Sequence, residues 1–329
     1  MKIRKPLIIV LGEPNSIFIE ILSKVLKKKF IKSIINYPII IIGSKELILS
    51  QIKTLNQKLK FEEIKNEIPD IKKLKNKVYL INIKYNFTKT FDKISSRSKK
   101  YIAESFKVAI KFLNYGISDK LINGPISKKH FLTKKYPGIT EYIFHKSRSK
   151  ISRNPVMLLF NKNLTISPLT THVPIKKISG MISQKLILNN VKTINSFFKY
   201  KFKINPKIAI LGLNPHCETK SSFNEENLII KPAVKKLNKI KINISGPFSA
   251  DTFFIEKNIS YFDTVIGIYH DQVLTPFKAL YGFDASNITL GLPFVRMSVD
   301  HGPNENMLGK NKSSTKSLEN IFNVIKTLK

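Results

Sequence analysis

Three of the six histidines in this 329-residue sequence come just after apolar runs with the character of strands. The runs and their histidines are 164–171 with His172, 208–213 with His216, and 264–269 with His270. Because the runs lie far apart in the chain, the three imidazoles must come from different strands. In open α/β sheets, ligands gather outside the carboxyl ends of strands, where three histidines would form a divalent-metal site with an open position. The alternative is three unrelated polar residues at loop starts, and spacing alone does not decide between them.

A second group of polar residues lies in the segment 270–302, between apolar strand-like runs. Arg296 stands inside one of these runs, residues 293–299. Burying an arginine is costly unless an anion compensates its charge. One interpretation is a structural salt bridge with Asp300, and the other is a clamp on a carboxylate or phosphate of a ligand. We favour the clamp.

Several common catalytic motifs are absent from the sequence. It has no G-x-G-x-x-G, no G-x-x-x-x-G-K-[ST] and no G-x-S-x-G. A standard Rossmann dinucleotide site, a P-loop and a hydrolase nucleophile elbow are therefore disfavoured. The single cysteine, Cys217, has no catalytic setting and excludes an internal disulfide, which favours a reducing compartment.

The formal net charge of +35 and the pI near 10.0 could indicate a nucleic-acid-binding protein. Only five of the 57 basic residues are arginine, however, and the lysines are spread along the whole chain. Proteins that recognise bases and phosphates favour arginine for its bidentate geometry. We therefore predict a solvated lysine surface and no specific nucleic-acid partner, although the charge would still attract phosphorylated metabolites.

No apolar run approaches the roughly 20 residues that a membrane-spanning helix needs. The basic N-terminus and the run 6–11 could imitate a secretory signal, but the run stops at Gly12 and no small-residue cleavage site follows. We expect a buried first strand, no membrane association and a cytoplasmic protein.

Strand-like runs alternate with helical stretches through most of the chain, which predicts an α/β fold with much parallel sheet. The length favours two domains. Strands are predicted at 6–11, 37–42, 78–83, 156–160, 164–167, 208–213, 264–269, 287–290 and 295–299. Helices are predicted at 17–29, 100–114, 182–200, 225–237 and 317–328, with Gly116 ending the second of them.

Taken together, these motifs resemble the 4-hydroxythreonine-4-phosphate dehydrogenase family over essentially the whole length. The matching segments are GEP at 12–14, NGP at 123–125, G-x-TE at 138–141, TTH at 170–172, GLNPH at 212–216, GP-x-x-ADT at 246–252, YHDQ at 269–272 and NITLGLPF-x-R-x-SVDHG at 287–302. The last segment is long enough to exclude chance.

The resemblance implies a two-domain α/β fold like that of isocitrate and isopropylmalate dehydrogenases, with a mostly parallel central sheet. It implies NAD or NADP as cofactor without a Rossmann motif, and a homodimer with its active site at the subunit interface. A divalent metal (zinc, magnesium or cobalt) would be bound by His172, His216 and His270, one of them from the partner subunit. The implied substrate-binding residues are Thr140, Lys278, Asn287 and Arg296. We expect residues 1–150 with 275–329 to form the nucleotide and substrate domain, and 151–274 the metal-ligand and dimerisation domain.

The implied reaction oxidises 4-phosphohydroxy-L-threonine to 2-amino-3-oxo-4-phosphooxybutanoate, which decarboxylates to 3-amino-2-oxopropyl phosphate in pyridoxal phosphate biosynthesis. Asp251 and Asp271 are candidates for orienting the histidines or for proton transfer. Two alternatives remain: a dehydrogenase of a related four-carbon sugar-acid 4-phosphate, and a metal-dependent phosphate-ester hydrolase.

Three positions depart from the family pattern. Ile139 stands where the family has a substrate-contacting histidine, residues 15–18 replace a glycine-containing loop, and Asn123 stands where threonine is common. Isoleucine cannot donate a hydrogen bond to a phosphate, and loss of glycine restricts the loop backbone. These changes predict either reduced activity or a shifted substrate preference, and we favour retained activity because the other site residues are present.

Overall fold

The structure is a computed structural model, and it describes residues 5–28, 37–132, 136, 138–147, 155–218, 224–255, 259–282 and 284–328. The part of the chain so described alternates strands and helices. Its strands are β1 (Leu7–Val10), β2 (Ile39–Gly43), β3 (Glu62–Ile64), β4 (Val78–Asn82), β5 (Lys120–Asn123), β6 (Val156–Phe160), β7 (Thr165–Thr170), β8 (Ile208–Leu211), β9 (Ile244–Phe248), β10 (Thr264–Tyr269), β11 (Ser286–Leu290) and β12 (Val295–Val299).

The helices follow the same alternation. They are α1 (Phe18–Lys27), α2 (Lys45–Thr54), α3 (Lys99–Asn114), α4 (Lys128–Phe131), α5 (Ile139–Lys146), α6 (Ile178–Met181), α7 (Gln184–Phe197), α8 (Lys231–Lys239), α9 (Ala250–Phe253), α10 (His270–Tyr281) and α11 (Lys316–Thr327). Among the described residues, no helix combines the length and apolar character that crossing a membrane requires.

The chain divides into two compact units. The first unit comprises Met1–Pro155 and Leu292–Lys326, and the second comprises Val156–Gly291 and Thr327–Lys329. The later boundary falls after residue 291 rather than at the predicted 274/275, because β11 pairs antiparallel with β6 of the second unit. The functions predicted for the two domains stay predictions.

The first unit contains strands in the order β3-β4-β2-β1-β5-β12, all paired in parallel. The central strands are apolar on both faces: β1 and β2 are buried at every position. Such continuous burial is typical of a parallel sheet covered by helices on both sides. Helix α3 packs its apolar face, including Ile102 and Phe106, into the core of this unit.

Helix α3 ends at a glycine, as predicted. Gly116 has φ of +70°, and its N–H donates to the Leu113 carbonyl at 3.0 Å while Ile117 N–H donates to Phe112 O at 3.0 Å. A residue in the left-handed region closes the last turn in this way, and glycine adopts that conformation without Cβ strain.

The second unit contains strands in the order β11-β6-β7-β10-β8-β9. Pairs β11–β6 and β6–β7 are antiparallel, and the β6–β7 pair joins two strands that were predicted next to each other in the sequence. The strands β7, β10, β8 and β9 run parallel to their neighbours. The α/β fold with a mostly parallel sheet in each unit confirms the predicted fold class.

Candidate active site

The three strand-end histidines lie at one edge of the sheet in the second unit. Strand β10 pairs in parallel with β7 on one side and with β8 on the other, so their carboxyl ends are neighbours. His172 follows β7, His216 follows β8, and His270 follows β10 as the first residue of α10. The structure therefore confirms that the three histidines follow different strands, and it shows in addition that these strands are neighbours. We call this edge the histidine edge.

Two of these imidazoles are in contact. The ring centroids of His172 and His270 lie 5.7 Å apart with an interplanar angle of 33°. Their strands stay paired to the end, since Tyr269 is in register with Thr170. The Thr170 hydroxyl also donates to Ile268 O at 2.8 Å. The backbone ladder thus fixes the separation of these two rings.

The loops that carry His172 and His216 adopt an uncommon backbone conformation. His172 has φ of +52° and His216 has φ of +54°, followed by Cys217 at +58°. A non-glycine residue in this region is disfavoured by roughly 1–2 kcal/mol. Strained residues of this kind cluster at functional sites, where the surrounding structure holds them in place.

A buried carboxylate holds the loop that presents His216. Glu226 is fully buried, and its Oε1 accepts from Leu213 N at 2.7 Å and Asn214 N at 2.9 Å. Its Oε2 accepts from the Asn214 side-chain amide at 2.9 Å. A Cβ added to Gly212 would lie 2.5 Å from Cys217 Sγ and 3.1 Å from Glu226 Oε1, so any larger residue there would require these side chains or the loop to shift.

Each of two histidines faces one of the predicted aspartates. His270 Nδ1 lies 2.6 Å from Asp271 Oδ1, and His216 Nδ1 lies 3.6 Å from Asp251 Oδ2. The hydrogen bond from the Ser249 hydroxyl is the main cause that lowers the pKa of Asp251, with a further contribution from His216. A carboxylate on Nδ1 orients an imidazole so that Nε2 is presented to a metal.

The donor types at this edge suit a divalent transition metal, since neutral imidazole binds zinc, cobalt and related ions. Within the described residues, however, no three His, Cys, Asp or Glu side chains have the arrangement of a metal site. The structure brings His172 and His270 together and places His216 against Asp251 instead. A shared metal ligand set stays a prediction.

In the first unit, Arg296 is part of a buried polar cluster. It lies on β12 with 2% of its side chain exposed. Its Nε donates to Asn123 Oδ1 at 2.8 Å, and its Nη1 donates to the Thr140 hydroxyl at 3.1 Å. Burial lowers the pKa of Arg296 to about 10, and the charge of Glu141 opposes this shift. The guanidinium therefore stays protonated at neutral pH inside an apolar strand.

Two residues near Arg296 differ from the family pattern, and they have different structural effects. Asn123, at the end of β5, accepts from Arg296 and also donates to Gly124 O at 2.8 Å. Ile139 is the first residue of α5 and packs against the core of the unit, beside Thr140. Asn123 thus adds a contact to the predicted substrate-binding arginine, whereas Ile139 supplies packing and no hydrogen-bond donor.

The other two predicted substrate residues, Lys278 and Asn287, belong to the second unit. Lys278 lies eight residues after His270 on the same helix, and Asn287 lies on β11. Both side chains are half-buried, and burial lowers the pKa of Lys278. A partly desolvated lysine gains most from an anionic ligand, because water no longer screens its charge.

The first loop of the chain is fixed by side chains where the family has glycines. Asn15 Oδ1 accepts from Asp92 N at 3.1 Å, and Ser16 Oγ donates to Glu13 O at 2.7 Å. Of residues 12–18, only Gly12 has a positive φ, at +76°. The loop therefore keeps a defined conformation without the family's glycines.

Glu13 is a buried acid in the same loop. It is 2% exposed, and its Oε2 accepts from the Ser98 hydroxyl at 3.0 Å. Burial raises its pKa to about 7, against the lowering effect of hydrogen bonds from Asn15 N–H and Ser98, while Glu305 adds to the rise. Sequence reasoning matched Glu13 only as part of GEP and gave it no role.

Sequence reasoning assigned no structural role to three residues that hold this site. Glu226, Gln272 and Asn123 all act through hydrogen bonds to residues distant in sequence. Asn123 was noted as a departure from the family pattern and Gln272 lies within the quoted motif YHDQ, but the sequence did not indicate the bonds that they make. Glu226 lies outside every motif, and nothing in its local sequence distinguishes it from a surface glutamate.

Comparison with known proteins places the chain in a family. A family model described as "Pyridoxal phosphate biosynthetic protein PdxA" matches residues 35–325. A 4-hydroxythreonine-4-phosphate dehydrogenase from a Sulfurihydrogenibium species is 40% identical over 309 residues, covering 93% of this chain and 92% of the relative. The enzyme of the same name from Aquifex aeolicus is 33% identical over 325 residues, 97% of each chain.

The fold is shared with a solved structure. The 4-hydroxythreonine-4-phosphate dehydrogenase from Burkholderia phymatum superimposes with a TM-score of 0.80 at 24% identity, covering 99% of this chain and 98% of that one. At this identity the likeness concerns the fold alone.

Proposed function

Because the chain belongs to the PdxA family of pyridoxal phosphate biosynthetic proteins, we propose that it is a 4-hydroxythreonine-4-phosphate dehydrogenase. Its reaction would be the nicotinamide-dependent oxidation of 4-phosphohydroxy-L-threonine to 2-amino-3-oxo-4-phosphooxybutanoate. This product is a β-keto acid, and loss of CO₂ from it gives 3-amino-2-oxopropyl phosphate. The observation that carries the proposal is the 40% identity to a curated relative of that name over 93% of the chain.

At the histidine edge, we propose His172, His216 and His270 as ligands of a divalent cation. A cation bound there would lower the pKa of the substrate hydroxyl and stabilise negative charge on its oxygen during oxidation and decarboxylation. The contact between His172 and His270 supports this proposal, as does the carboxylate on Nδ1 of His216 and of His270. Asp251 and Asp271 would hold the two imidazoles in the tautomer that presents Nε2.

The anionic ends of the substrate require cationic and hydrogen-bonding groups. Arg296 and Thr140 support this role in the first unit, where the guanidinium is buried and already oriented by a neutral hydroxyl. Lys278 and Asn287 are proposed for the same role in the second unit. Buried guanidinium and ammonium groups bind carboxylate and phosphate more strongly than exposed ones, since the local dielectric is lower.

We further propose NAD or NADP as the hydride acceptor and a homodimer that completes the site. The family name implies a nicotinamide cofactor, and the sequence carries no Rossmann glycine motif to choose between the two. Within the described residues, two histidines are in contact and no group of three metal-binding side chains forms. This arrangement suits a metal site that a partner subunit completes. We propose no specific nucleic-acid partner, because arginine is rare and lysine is dispersed.

The proposal is tested by a substrate panel. Purified protein is incubated with a divalent cation, NAD or NADP, and either 4-phosphohydroxy-L-threonine or a four-carbon sugar-acid 4-phosphate. Formation of reduced nicotinamide is followed by absorbance, and release of inorganic phosphate is followed in parallel. We expect reduced nicotinamide with the amino-acid phosphate and no phosphate release.

A second candidate is a dehydrogenase of the sugar-acid 4-phosphate, and one observation favours it. Ile139 replaces a family histidine at a substrate position and packs against the core instead. Faster reduction with the sugar-acid phosphate in the same panel would support this candidate. Phosphate release without reduction would instead indicate a hydrolase.

A further inference from the structure

Gln272, in the first turn of α10, joins the two strand ends that carry His270 and His216. Its Oε1 accepts from Ile268 N of β10 at 2.7 Å. Its Nε2 donates to the carbonyl of Gly212, directly after β8, also at 2.7 Å. One side-chain amide therefore bridges β10 and the loop that leads to His216.

The bridge replaces backbone pairing at the point where that pairing stops. Thr264 N–H donates to Lys207 O on the β8 side at 3.3 Å, and every second residue of a strand directs its N–H to the same neighbour. The Ile268 N–H therefore points toward β8, as the Thr264 N–H does. Within the described residues the last register pair of β10 with β8 is Ile266 with Ile210, and beyond it Gln272 supplies the acceptor and the donor.

The other side of β10 differs. There, backbone register with β7 continues to the last strand residue, Tyr269, paired with Thr170. The ends of β7 and β10, which lead to His172 and His270, are therefore separated by the distance between directly paired strands. Between the end of β10 and the segment that leads to His216, the side chain of Gln272 is inserted instead. An inserted amide separates the strand ends further than direct pairing would, and it fixes that separation with two short hydrogen bonds.

Gly267 of β10 leaves room for the first turn of α10 and for the Gln272 side chain. A Cβ on Gly267 would lie 2.5 Å from Val273 Cγ1 and 3.2 Å from Gln272 Oε1. The close approach of α10 to the end of β10 thus depends on a residue without a side chain.

We propose that Gln272 is a positioning residue that sets the spacing between the His216 loop and His270, and so the divalent-cation affinity of the histidine edge. The inference rests on the proposed metal-binding role of these histidines. Gln272 does not touch the reacting atoms in this account. It acts through the backbone of Ile268 and Gly212, as partners beyond the ligands of a metal site commonly do.

The test is calorimetric titration of chelator-treated, full-length protein with Co²⁺ alone, in the absence of substrate. Gln272→Glu keeps the shape and the acceptor for Ile268 N but places a carboxylate oxygen against Gly212 O. Gln272→Met keeps the volume and removes both bonds. Gln184→Glu is the matched control, because Gln184 also donates to a carbonyl of the second unit, Leu228 O at 3.2 Å, but from helix α7.

We expect both Gln272 variants to bind Co²⁺ about 10- to 100-fold more weakly than the wild type, and the Gln184 variant to bind with unchanged affinity. At saturating Co²⁺ the turnover of the Gln272 variants should recover in large part. A general loss of folding would instead lower turnover at every Co²⁺ concentration. Wild-type affinity in both Gln272 variants would overturn the inference and leave the proposed function standing. Absence of Co²⁺ binding by the wild type would overturn the proposed metal site itself.

A second measurement on the wild-type protein does not depend on how the variants fold. Hydrogen exchange at residue resolution should show the Ile268 amide protected to the same degree as its neighbours within β10. Exchange of Ile268 at the rate of an open loop would mean that the bridge to Gln272 does not form in solution, which contradicts the inference directly.

Discussion

The side chains of Asn123 and Arg296 form a 2.8 Å hydrogen bond from Nε to Oδ1 between the adjacent strands β5 and β12. Both residues are 2% exposed. A buried guanidinium with a fixed Nε has fewer orientations to lose when it binds an anion, so this bond prepares Arg296 for its proposed ligand. The family commonly has threonine at this position, and the longer asparagine makes the contact here.

Replacing Asn123 by alanine leaves the Arg296 Nε–H without this acceptor. An unsatisfied buried donor costs roughly 1–3 kcal/mol, and 1.4 kcal/mol corresponds to about tenfold in binding. We expect KM for the phosphorylated substrate to rise about tenfold in Asn123→Ala, with a smaller change in kcat. Steady-state kinetics check this, with Asn238→Ala as control, since Asn238 donates to Ile244 O in the other unit. A tenfold fall in kcat with no change in KM would contradict the positioning role.

The burial of Glu13 predicts a pH-dependent stability. Its folded pKa of about 7 lies above the ordinary value of 4.5, so the native state binds more protons than the unfolded state between these two values. The contribution of Glu13 to the free energy of unfolding therefore falls by up to about 3 kcal/mol as pH rises from 4.5 to about 7, and it stays constant above that pH. Glu13→Gln mimics the protonated form and should make the free energy of unfolding less dependent on pH between about 5 and 7.

Chemical denaturation at a series of pH values measures this difference. Glu104→Gln is the control, because the side chain of Glu104 on α3 is 43% exposed, in contrast to buried Glu13, and the substitution changes the net charge equally. The variant Glu13→Gln should gain stability relative to the wild type at the alkaline end of the range. Parallel pH profiles for the wild type and Glu13→Gln would show that Glu13 does not titrate as described.

Gly212→Ala tests the packing beneath the His216 loop. The added methyl group would lie 2.5 Å from Cys217 Sγ, so the loop or the cysteine must shift. We expect a loss of roughly 1–3 kcal/mol in stability from overpacking and a clear loss of divalent-cation affinity. Gly180→Ala is the control, because a Cβ there meets no atom within 4 Å. Unchanged metal binding in Gly212→Ala would show that the loop position is not critical.

Ile139→His restores the residue that the family has at this position. A hydrogen bond from imidazole to a phosphate is worth roughly 1.5–3 kcal/mol, so KM for 4-phosphohydroxy-L-threonine should fall by about an order of magnitude. Because Ile139 packs against the core, the melting temperature of the variant should also fall. A KM that stays the same or rises would show that this pocket serves another ligand, and the sugar-acid phosphate would then become the leading substrate.

Elements with strong apolar patterns were predictable from the sequence. Strand β10 (Thr264–Tyr269) and strand β12 (Val295–Val299) have the predicted bounds, because short, mostly apolar runs bounded by loop residues are typical of strands buried in a parallel sheet. Strand β3 (Glu62–Ile64) was missed because its residues are mostly charged and exposed. Helix α10 was missed because it starts at His270 with no loop after β10 and contains Pro276.

The candidate site was predictable only in part. The position of the three histidines after different strands was predictable from the apolar runs, but the order that makes these strands neighbours was not, because it depends on long-range pairing. The bond of Arg296 to Asn123 and the bridge made by Gln272 depend on side-chain directions that periodicity does not specify. The guanidinium donates from Nε to Asn123 and from Nη1 to Thr140, two contacts that the sequence did not predict, while the choice between a ligand clamp and a salt bridge with Asp300 stays a prediction.

The proposed function is tested most directly by the rate of nicotinamide reduction with 4-phosphohydroxy-L-threonine in metal-free protein, before and after a divalent cation is restored. We expect no turnover without the cation, turnover when zinc, cobalt or magnesium is added, and none in His270→Ala, whose melting temperature should match that of the wild type. Full turnover by the metal-free protein, or by His270→Ala, would contradict the proposed role of the histidine edge. No nicotinamide reduction under any of these conditions would contradict the dehydrogenase assignment.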